Sequence, residues 1–184
     1  MAAQMTIEQV YENFKKLGLS GWLDFEECKV IKQEIDNMPV NGTYTEIGVA
    51  YGKSFAIASY YAKPEVKLFG IDRLNWKQPR EDLLKEFGVL DRGTFIEGES
   101  QQEALLWKHG EIDLLFIDGD HSYYGLVRDF LSWLPHVKHG GRVMIHDYVI
   151  REPGVMRAFH QFILNHPAYT DFELKRSIYT FTKV

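Results

Sequence analysis

IDLLFIDGDHSYYGLVRDFLSWLPHVKHGGRVMIHD, residues 112–147, contains the pattern that decides the fold. Its first and last seven residues are mostly apolar runs that end in a carboxylate, as buried strands often do. The segment from Tyr123 to Leu134 has apolar residues at helical intervals and indicates a helix. Strand, helix and strand in this order predict two parallel strands joined by a right-handed crossover.

The same alternation extends to both sides of this segment. GTYTEIG, VKLFGID and GTFIEG are strand-like, and amphipathic stretches between and after the strands predict helices near residues 54–61, 80–87, 101–108 and 154–165. FELKRSIYTFTKV at the end has two strand-like pieces with no room for a helix, so the last strand should pair antiparallel in a hairpin. The pattern predicts an α/β fold with a mostly parallel sheet and helices on both faces.

Residues 1–40 are predicted to form an N-terminal helical extension. Thr6 with Gln9, and Asp24 with Glu27, have the spacing of capping boxes, and Pro39 with Gly42 ends the helical pattern. Residues 41–184 would then form the core of a single domain, because 184 residues with 45% hydrophobic positions suffice for one core.

The charge, the cysteine count and the lengths of the apolar runs exclude several classes of protein. The net charge is −5 and the basic residues are scattered, so nucleic acid is not an expected partner. Cys28 is the only cysteine, which excludes an internal disulfide and a thiolate metal cluster and suits a reducing cytoplasm. No apolar run approaches the length of a membrane span and the first residues do not resemble a secretory signal, so we expect a cytoplasmic protein without membrane association.

All five predicted parallel strands end at or near an acid. In open sheets of this type, ligands bind outside the carboxyl ends of the strands. Acids are also common in turns and at helix caps, so an acid at any one strand end has an ordinary structural explanation. An acid at all five strand ends is harder to explain in this way. The acids are Glu46, Asp72, Glu99, Asp118 and Asp147.

The first of these turns, TEIGVAYGKS at residues 45–54, is suited to close contact with a ligand. Gly48 and Gly52 allow positive φ angles, and Ala50 keeps the path of the chain clear. Glu46 would repel a pyrophosphate but attract a cationic or zwitterionic ligand. Asp72, about 20 residues further on, suits the two hydroxyls of an unphosphorylated ribose. Glu99 and Ser100 suit adenine, unless Ser100 only caps a helix.

Together these residues and the segment FIDGDHSYYG…VMIHDY resemble the class I S-adenosylmethionine-dependent methyltransferases. The most similar subgroup comprises small O-methyltransferases, of the macrocin O-methyltransferase kind, with a DGDHSY segment after the fourth strand. The resemblance implies a Rossmann-like seven-stranded sheet, mostly parallel with an antiparallel last strand. It also implies S-adenosylmethionine as the cofactor and a small-molecule methyl acceptor.

Carried over by position, the resemblance implies a set of cofactor contacts. Lys53 would approach the methionyl carboxylate, although a solvated lysine is an equal alternative. The full set is Glu46, Gly48, Ala50, Tyr51, Gly52, Lys53, Asp72, Arg73, Trp76, Glu99, Ser100 and Asp118.

The resemblance further implies a divalent cation as an optional cofactor, held by Asp118, His146 and Asp147. Oxygen ligands suit magnesium or calcium, whereas an imidazole from His146 shifts the preference toward manganese, iron or zinc, unless that residue does not bind metal. His121 is the first candidate for the general base and Asp118 the second. His121 could equally be a turn histidine bonded to Asp118 or Asp147.

The sequence leaves three questions open: the function class, the role of the N-terminal helices and the identity of the methyl acceptor. A protein that binds the cofactor or its product without catalysis, as a sensor or assembly subunit, would not need the cluster of Asp118, His121, His146 and Asp147. A nicotinamide-dependent oxidoreductase is disfavoured by Glu46 and by the incomplete glycine pattern. The N-terminal helices would either cover the substrate pocket or form a homodimer contact. Sugars, phenols and other small metabolites are all compatible as acceptors.

Overall fold

The structure is a computed structural model that describes residues 4–19, 21–73 and 76–184. Strands and helices alternate through most of the chain, as the sequence pattern predicts. The strands are β1 (Thr43–Ile47), β2 (Lys67–Asp72), β3 (Thr94–Glu97), β4 (Ile112–Ile117), β5 (Val137–Ile145), β6 (Tyr169–Lys175) and β7 (Ile178–Lys183).

The helices flank the sheet on both sides. No helix in the described part of the chain has the length and apolar character needed to cross a membrane. The α-helices are α1 (Ile7–Lys16), α2 (Phe25–Asp36), α3 (Lys53–Tyr61), α4 (Lys77–Glu86), α5 (Ser100–Leu105), α6 (Tyr123–Trp133) and α7 (Pro153–Phe162).

The seven strands form one sheet in the order β3-β2-β1-β4-β5-β7-β6. β1 to β5 are parallel, whereas β7 pairs antiparallel with both β5 and β6. The predicted fold class is therefore confirmed, including the terminal hairpin. The strand order reverses beside β1 and β4, so the ends of these strands flank the switch point at which such sheets bind ligands.

Alternation along the strands separates two apolar cores. In β1, Tyr44 packs on the side of α1 to α4, whereas Ile47 packs on the side of α5 to α7. Successive strand residues point to opposite faces of a sheet, so Glu46 shares the face of Tyr44. This alternation determines which of the acids at the strand ends can reach a ligand.

The N-terminal helices are an integral part of the first core. Both predicted capping boxes are present, at Thr6 with Gln9 and at Asp24 with Glu27. Glu34 also holds α2 to the sheet. Its carboxylate accepts two hydrogen bonds from the guanidinium of Arg142 in β5, from Nε at 3.0 Å and from Nη2 at 2.8 Å. This bidentate ion pair fixes the angle at which α2 crosses the sheet.

Replacing Glu34 with alanine should lower the free energy of unfolding. The change leaves the half-buried Arg142 guanidinium without its carboxylate, so we expect a loss of about 1 kcal/mol or more in urea unfolding. Glu26→Ala on the same helix is the control, because Glu26 pairs with Lys29 at an exposed site and should change stability by less than about 0.5 kcal/mol. Equal effects of the two changes would contradict this account.

Two helices do not begin as their local sequence predicts, since Pro79 is typical of a helix start and Ser100 with Glu103 has the spacing of a capping box. α4 begins at Lys77, so Pro79 lies inside its first turn and does not start the helix. The capping box at Ser100 and Glu103 does not form, because Glu99 occupies the cap position and Ser100 is the first helical residue. The Ser100 hydroxyl instead accepts a hydrogen bond from the Trp133 indole at 2.8 Å, which joins α5 to α6.

Candidate functional site

A cleft of about 230 Å³ opens at the carboxyl ends of β1, β2 and β4. Because parallel strands end at the same edge, residues far apart in sequence meet there. β3 ends at Glu97 rather than Glu99, but the turn that follows still delivers Glu99 to the cleft. The predicted cofactor contacts that line it are Gly48, Ala50, Asp72, Arg73, Glu99, Ser100 and Asp118.

Gly48 is required by the close approach of two turns. It has a φ angle of +86°, and a Cβ atom at this position would lie 2.1 Å from the carbonyl oxygen of Asp118. The turns after β1 and β4 therefore touch through their backbones, which any side chain at Gly48 would prevent. Gly52 has a φ angle of +84° and precedes the first residue of α3.

Asp72 joins the end of β2 to the glycine turn. Its Oδ2 atom accepts a hydrogen bond from the backbone N–H of Ala50 at 2.6 Å. Ala50 has a φ angle of +43°, a conformation that a non-glycine residue adopts only when its surroundings hold it. Asp72 thus lines the cleft and also fixes the shape of the loop opposite.

Glu46, predicted to contact a cationic ligand, does not line the cleft. It is fully buried on the face of the sheet that α3 covers, where both carboxyl oxygens accept hydrogen bonds, from Ser54 and from Tyr44 at 2.6 Å. Burial outweighs the two hydroxyl donors and raises the pKa of Glu46 to about 8. Glu46 therefore joins β1 to α3 as a largely protonated acid at neutral pH.

This raised pKa predicts how stability depends on pH. The folded protein keeps a proton on Glu46 that the unfolded chain, with a reference pKa of 4.5, releases. The free energy of unfolding should therefore fall as the pH rises between these two values, by about 1 kcal/mol between roughly pH 6 and pH 7. Glu46→Gln removes the titrating group, so the difference in stability between the variant and the native protein should change by that amount in urea unfolding at the two pH values. An unchanged difference would contradict the assignment.

Lys53 is neither solvated nor part of the cleft lining. Its ammonium is buried and donates to the carbonyl oxygens of Gly21 and Leu23, each at 2.9 Å. The lysine therefore ties the start of α3 to the segment between α1 and α2. Its predicted contact with a cofactor carboxylate has no support in this arrangement.

Tyr51 and Trp76, two predicted cofactor contacts, do not line the cleft but form an aromatic group with Trp22. The ring centroids of Tyr51 and Trp76 lie 4.5 Å apart, and the Trp22 ring lies 5.6 Å from that of Tyr51. Trp22 is 77% exposed although it is a large apolar side chain. Such rings supply broad contact area to a planar ligand.

Helices α5 and α6 contribute residues to the cleft that were not predicted from the sequence. Gln101, Arg128 and Asp129 line it from α5 and α6, and Asp120 lines it from the turn before α6. Asp129 is 3% exposed and accepts from the Gln101 amide at 2.6 Å. A signal was present, because Asp129 falls on the buried stripe of α6 beside Phe130, where a carboxylate needs a polar partner.

A cluster of two acids and one imidazole lies at the ends of β4 and β5. Nε2 of His121 lies 3.2 Å from Oδ2 of Asp147 and 3.7 Å from Oδ1 of Asp118. One donor atom from each of the three residues lies within 4.8 Å of the others, so together they could hold a cation. The nearby carboxylate of Asp118 outweighs burial and raises the pKa of His121. We call these three residues the acid–imidazole cluster.

His146, the third residue of the predicted metal set, contacts both acids of this cluster. The imidazole is almost completely buried, with Nδ1 at 2.9 Å from Oδ1 of Asp118 and 3.3 Å from Oδ2 of Asp147, and Nε2 at 3.6 Å from Oε2 of Glu27. Burial alone would lower the pKa of His146, but the surrounding carboxylates raise it to about 12. In this arrangement His146 orients Asp118, and the donor atoms of Asp118, His121 and Asp147 are the ones that lie together.

A second cavity, of about 440 Å³, lies on the other side of the acid–imidazole cluster. Its wall includes Asp147 and His146, whereas the first cleft reaches the cluster through Asp118. The remaining lining comes from the segment before α2, the first turn of α2, the turn after β5 and the β6–β7 turn. These residues are Trp22, Leu23, Asp24, Glu27, Val149, Arg151, Arg176 and Ser177. The cluster thus borders both cavities.

The chain is similar in sequence to two uncharacterised proteins. The chain is 31% identical over 118 residues to an uncharacterised protein, R132, of Acanthamoeba polyphaga mimivirus, a match that covers 58% of this chain and 51% of that protein. It is 27% identical over 100 residues to an uncharacterised protein, y4gI, of Sinorhizobium fredii, of which the match covers 10%. The match therefore spans about half the length of the first relative and far less of the second.

Solved structures share the complete fold at low sequence identity. The O-methyltransferase TomG of Streptomyces achromogenes, involved in tomaymycin synthesis and solved in complex with SAM, superposes with a TM-score of 0.75 at 14% identity, over 100% of this chain and 91% of that one. An O-methyltransferase of Bacillus cereus in complex with SAH gives a TM-score of 0.73 at 16% identity, over 100% and 93% of the two chains.

The family model described as a methyltransferase domain matches residues 45–148, more than half of the chain. This range begins in β1, ends just after β5, and contains the glycine turn and the acid–imidazole cluster. The chain belongs to this methyltransferase-domain family.

Proposed function

We propose that the protein transfers a methyl group from S-adenosylmethionine to a hydroxyl oxygen of a small-molecule acceptor. The observation that carries the proposal is the position of the acid–imidazole cluster between two cavities. A cofactor in the first cleft and an acceptor in the second would meet at Asp118, His121 and Asp147. Methyl transfer needs this arrangement, because the acceptor oxygen must attack the sulfonium methyl in line with the departing sulfur.

The lining of the first cleft supports S-adenosylmethionine as its ligand. Asp72 is suited to the ribose hydroxyls, and the turn at Gly48 and Ala50 leaves room for the methionyl part. Glu99, Gln101 and buried Asp129 offer polar groups to adenine at the far end of the cleft. Family membership and the SAM and SAH complexes of the structural neighbours point to the same ligand.

The chain's own contribution to the chemistry would be positioning and proton transfer. Holding the acceptor oxygen next to the methyl group converts an encounter in solution into a reaction within one complex. The hydroxyl must lose its proton as the new O–C bond forms. His121, which lies close to Asp118 of the first cleft and to Asp147 of the second cavity, would accept this proton in its neutral form, with Asp118 as the second candidate.

The acid–imidazole cluster also fits a divalent cation. Two carboxylates and one imidazole are a mixed oxygen and nitrogen donor set that suits manganese better than calcium. Asp118, His121 and Asp147 would hold the ion, which would lower the pKa of a bound hydroxyl. The cation and the base are competing uses of His121, since one lone pair cannot serve both.

Calorimetric titration with S-adenosylmethionine, followed by turnover assays, tests the proposal. We expect binding of S-adenosylmethionine and S-adenosylhomocysteine and none of NAD. Transfer of radiolabelled methyl to a panel of hydroxylated acids, phenols and sugars would then establish catalysis. Failure to bind either nucleoside would contradict the proposal. Binding without turnover on any acceptor would favour the non-catalytic alternative.

A further inference from the structure

We infer that the second cavity binds an anionic methyl acceptor, a small hydroxy compound whose carboxylate or phosphate pairs with Arg151. This inference rests on the proposed function, because it assigns a substrate class to the cavity across the acid–imidazole cluster from the cofactor cleft. It is carried by the side-chain pairing in the cavity wall, which leaves Arg151 without a partner among the described residues, and by the shape of that wall.

Each carboxylate of the wall has a partner in the structure. Oδ2 of Asp24 accepts from Nε of Arg176 at 2.7 Å. Glu27 accepts from the Ser177 hydroxyl and lies beside the His146 imidazole, and Oδ2 of Asp147 lies 3.2 Å from Nε2 of His121. Each acid of the wall therefore has a partner other than Arg151.

Arg151 is the positively charged side chain of the wall that has no partner among the described residues. Among the described residues it makes no hydrogen bond or ion pair, although it lines the same cavity as three acids. Its backbone is held in a short turn after β5, where Val149 N–H donates to the Asp147 carbonyl at 2.7 Å and Glu152 N–H donates to the Val149 carbonyl at 2.9 Å. A guanidinium on a fixed turn is well suited to a carboxylate or phosphate.

The backbone of the cavity wall is unusual as well. Three of its residues, Trp22, Asp147 and Arg176, are not glycine but have φ angles of 67°, 58° and 57°. Such conformations persist only where the surrounding structure enforces them, and they concentrate at ligand sites. They bring together side chains from three separate parts of the chain around one space.

One side of the cavity is apolar and suits the body of the acceptor. Trp22, Leu23 and Val149 line it, and the Trp22 indole is largely exposed. Indole rings contact flat or apolar groups over a large area. An acceptor with a compact body, one anionic group toward Arg151 and one hydroxyl toward Asp147 would use each part of the wall.

Calorimetry with matched probes tests this inference. The protein is first saturated with S-adenosylhomocysteine and then titrated with 4-hydroxybenzoate, 4-hydroxyphenyl phosphate and the neutral analogue 4-hydroxybenzamide. We expect at least one anion to bind about fivefold more tightly than the amide, and Arg151→Gln to remove about that preference. Arg157→Gln is the matched control, because Arg157 lies over the Tyr123 ring and outside the cavity wall.

The outcomes separate the two levels of the proposal. If S-adenosylhomocysteine does not bind, the proposed function fails before the probes are added. If it binds but neither anion is preferred over the amide, or if Arg151→Gln leaves the preference intact, the anionic acceptor is refuted and the proposed function stands. A loss of preference in Arg157→Gln that equals the loss in Arg151→Gln also counts against the inference.

Discussion

Asp72→Ala should weaken the binding of S-adenosylmethionine by about tenfold to a hundredfold, corresponding to roughly 1.4–2.7 kcal/mol. Two effects contribute to this loss. The proposed contact with the ribose hydroxyls disappears, and so does the 2.6 Å hydrogen bond that holds the Ala50 amide and its left-handed backbone. Because hydrogen bonds to a charged group each contribute about 1.5–3 kcal/mol, the lower end of the range needs only one of them.

Calorimetric titration of the cofactor measures this effect. Glu86→Ala is the matched control, since Glu86 is an exposed acid near the end of α4 and should leave the affinity unchanged. Asp72→Asn separates the two contributions, because an amide oxygen still accepts from Ala50 while the charge is lost. An affinity within about twofold of the native value in Asp72→Ala would exclude the ribose assignment.

The sequence predicted the cleft because strand ends can be recognised from local pattern. Short apolar runs that end in an acid placed Asp72, Glu99 and Asp118 at one edge, and the structure brings all three to the first cleft. Glu46 does not line the cleft, for a simple physical reason. Glu46 lies one residue before the end of β1, so the alternation of side chains turns it toward α3 and away from the ligand edge.

Tertiary contacts decided what the sequence could not predict. His146 and His121 both follow strands and both carry an imidazole, so residue type alone could not assign which one is buried against α2 and which one is partly exposed beside Asp118 and Asp147. The answer depends on Glu27, which belongs to α2 and lies 3.6 Å from Nε2 of His146. A contact between residues this far apart in sequence leaves no local pattern to recognise.

The second cavity was unpredictable for the same reason. Its wall combines the segment before α2, the turn after β5 and the β6–β7 turn, and none of these carries a motif for ligand binding. In the sequence, Trp22 and Arg176 cannot be distinguished from ordinary loop residues. Only the fold places both in the wall of one cavity. By contrast, the antiparallel terminal hairpin was predictable, because the absence of a helix between two strands is a local property.

His121→Gln should reduce methyl transfer by about a hundredfold or more, while the affinity for S-adenosylmethionine changes by less than about twofold. Glutamine keeps a polar group of similar reach but cannot accept a proton at neutral pH. His121 is absent from the lining of the cofactor cleft, which is why binding should survive. His139→Gln is the matched control, because His139 is an exposed histidine of β5 near the opposite end of the strand from the site.

The pH profile and a chelator then distinguish the two uses of His121. Asp118 raises the pKa of His121, so the neutral imidazole increases as the pH rises, and turnover by the native protein should increase with it. If His121 is the base, EDTA leaves the native rate unchanged. If it holds a cation, EDTA abolishes turnover and manganese restores it in the native protein but not in His121→Gln. A variant that keeps more than about a tenth of the native rate would remove His121 from either role, because general bases contribute at least about a hundredfold.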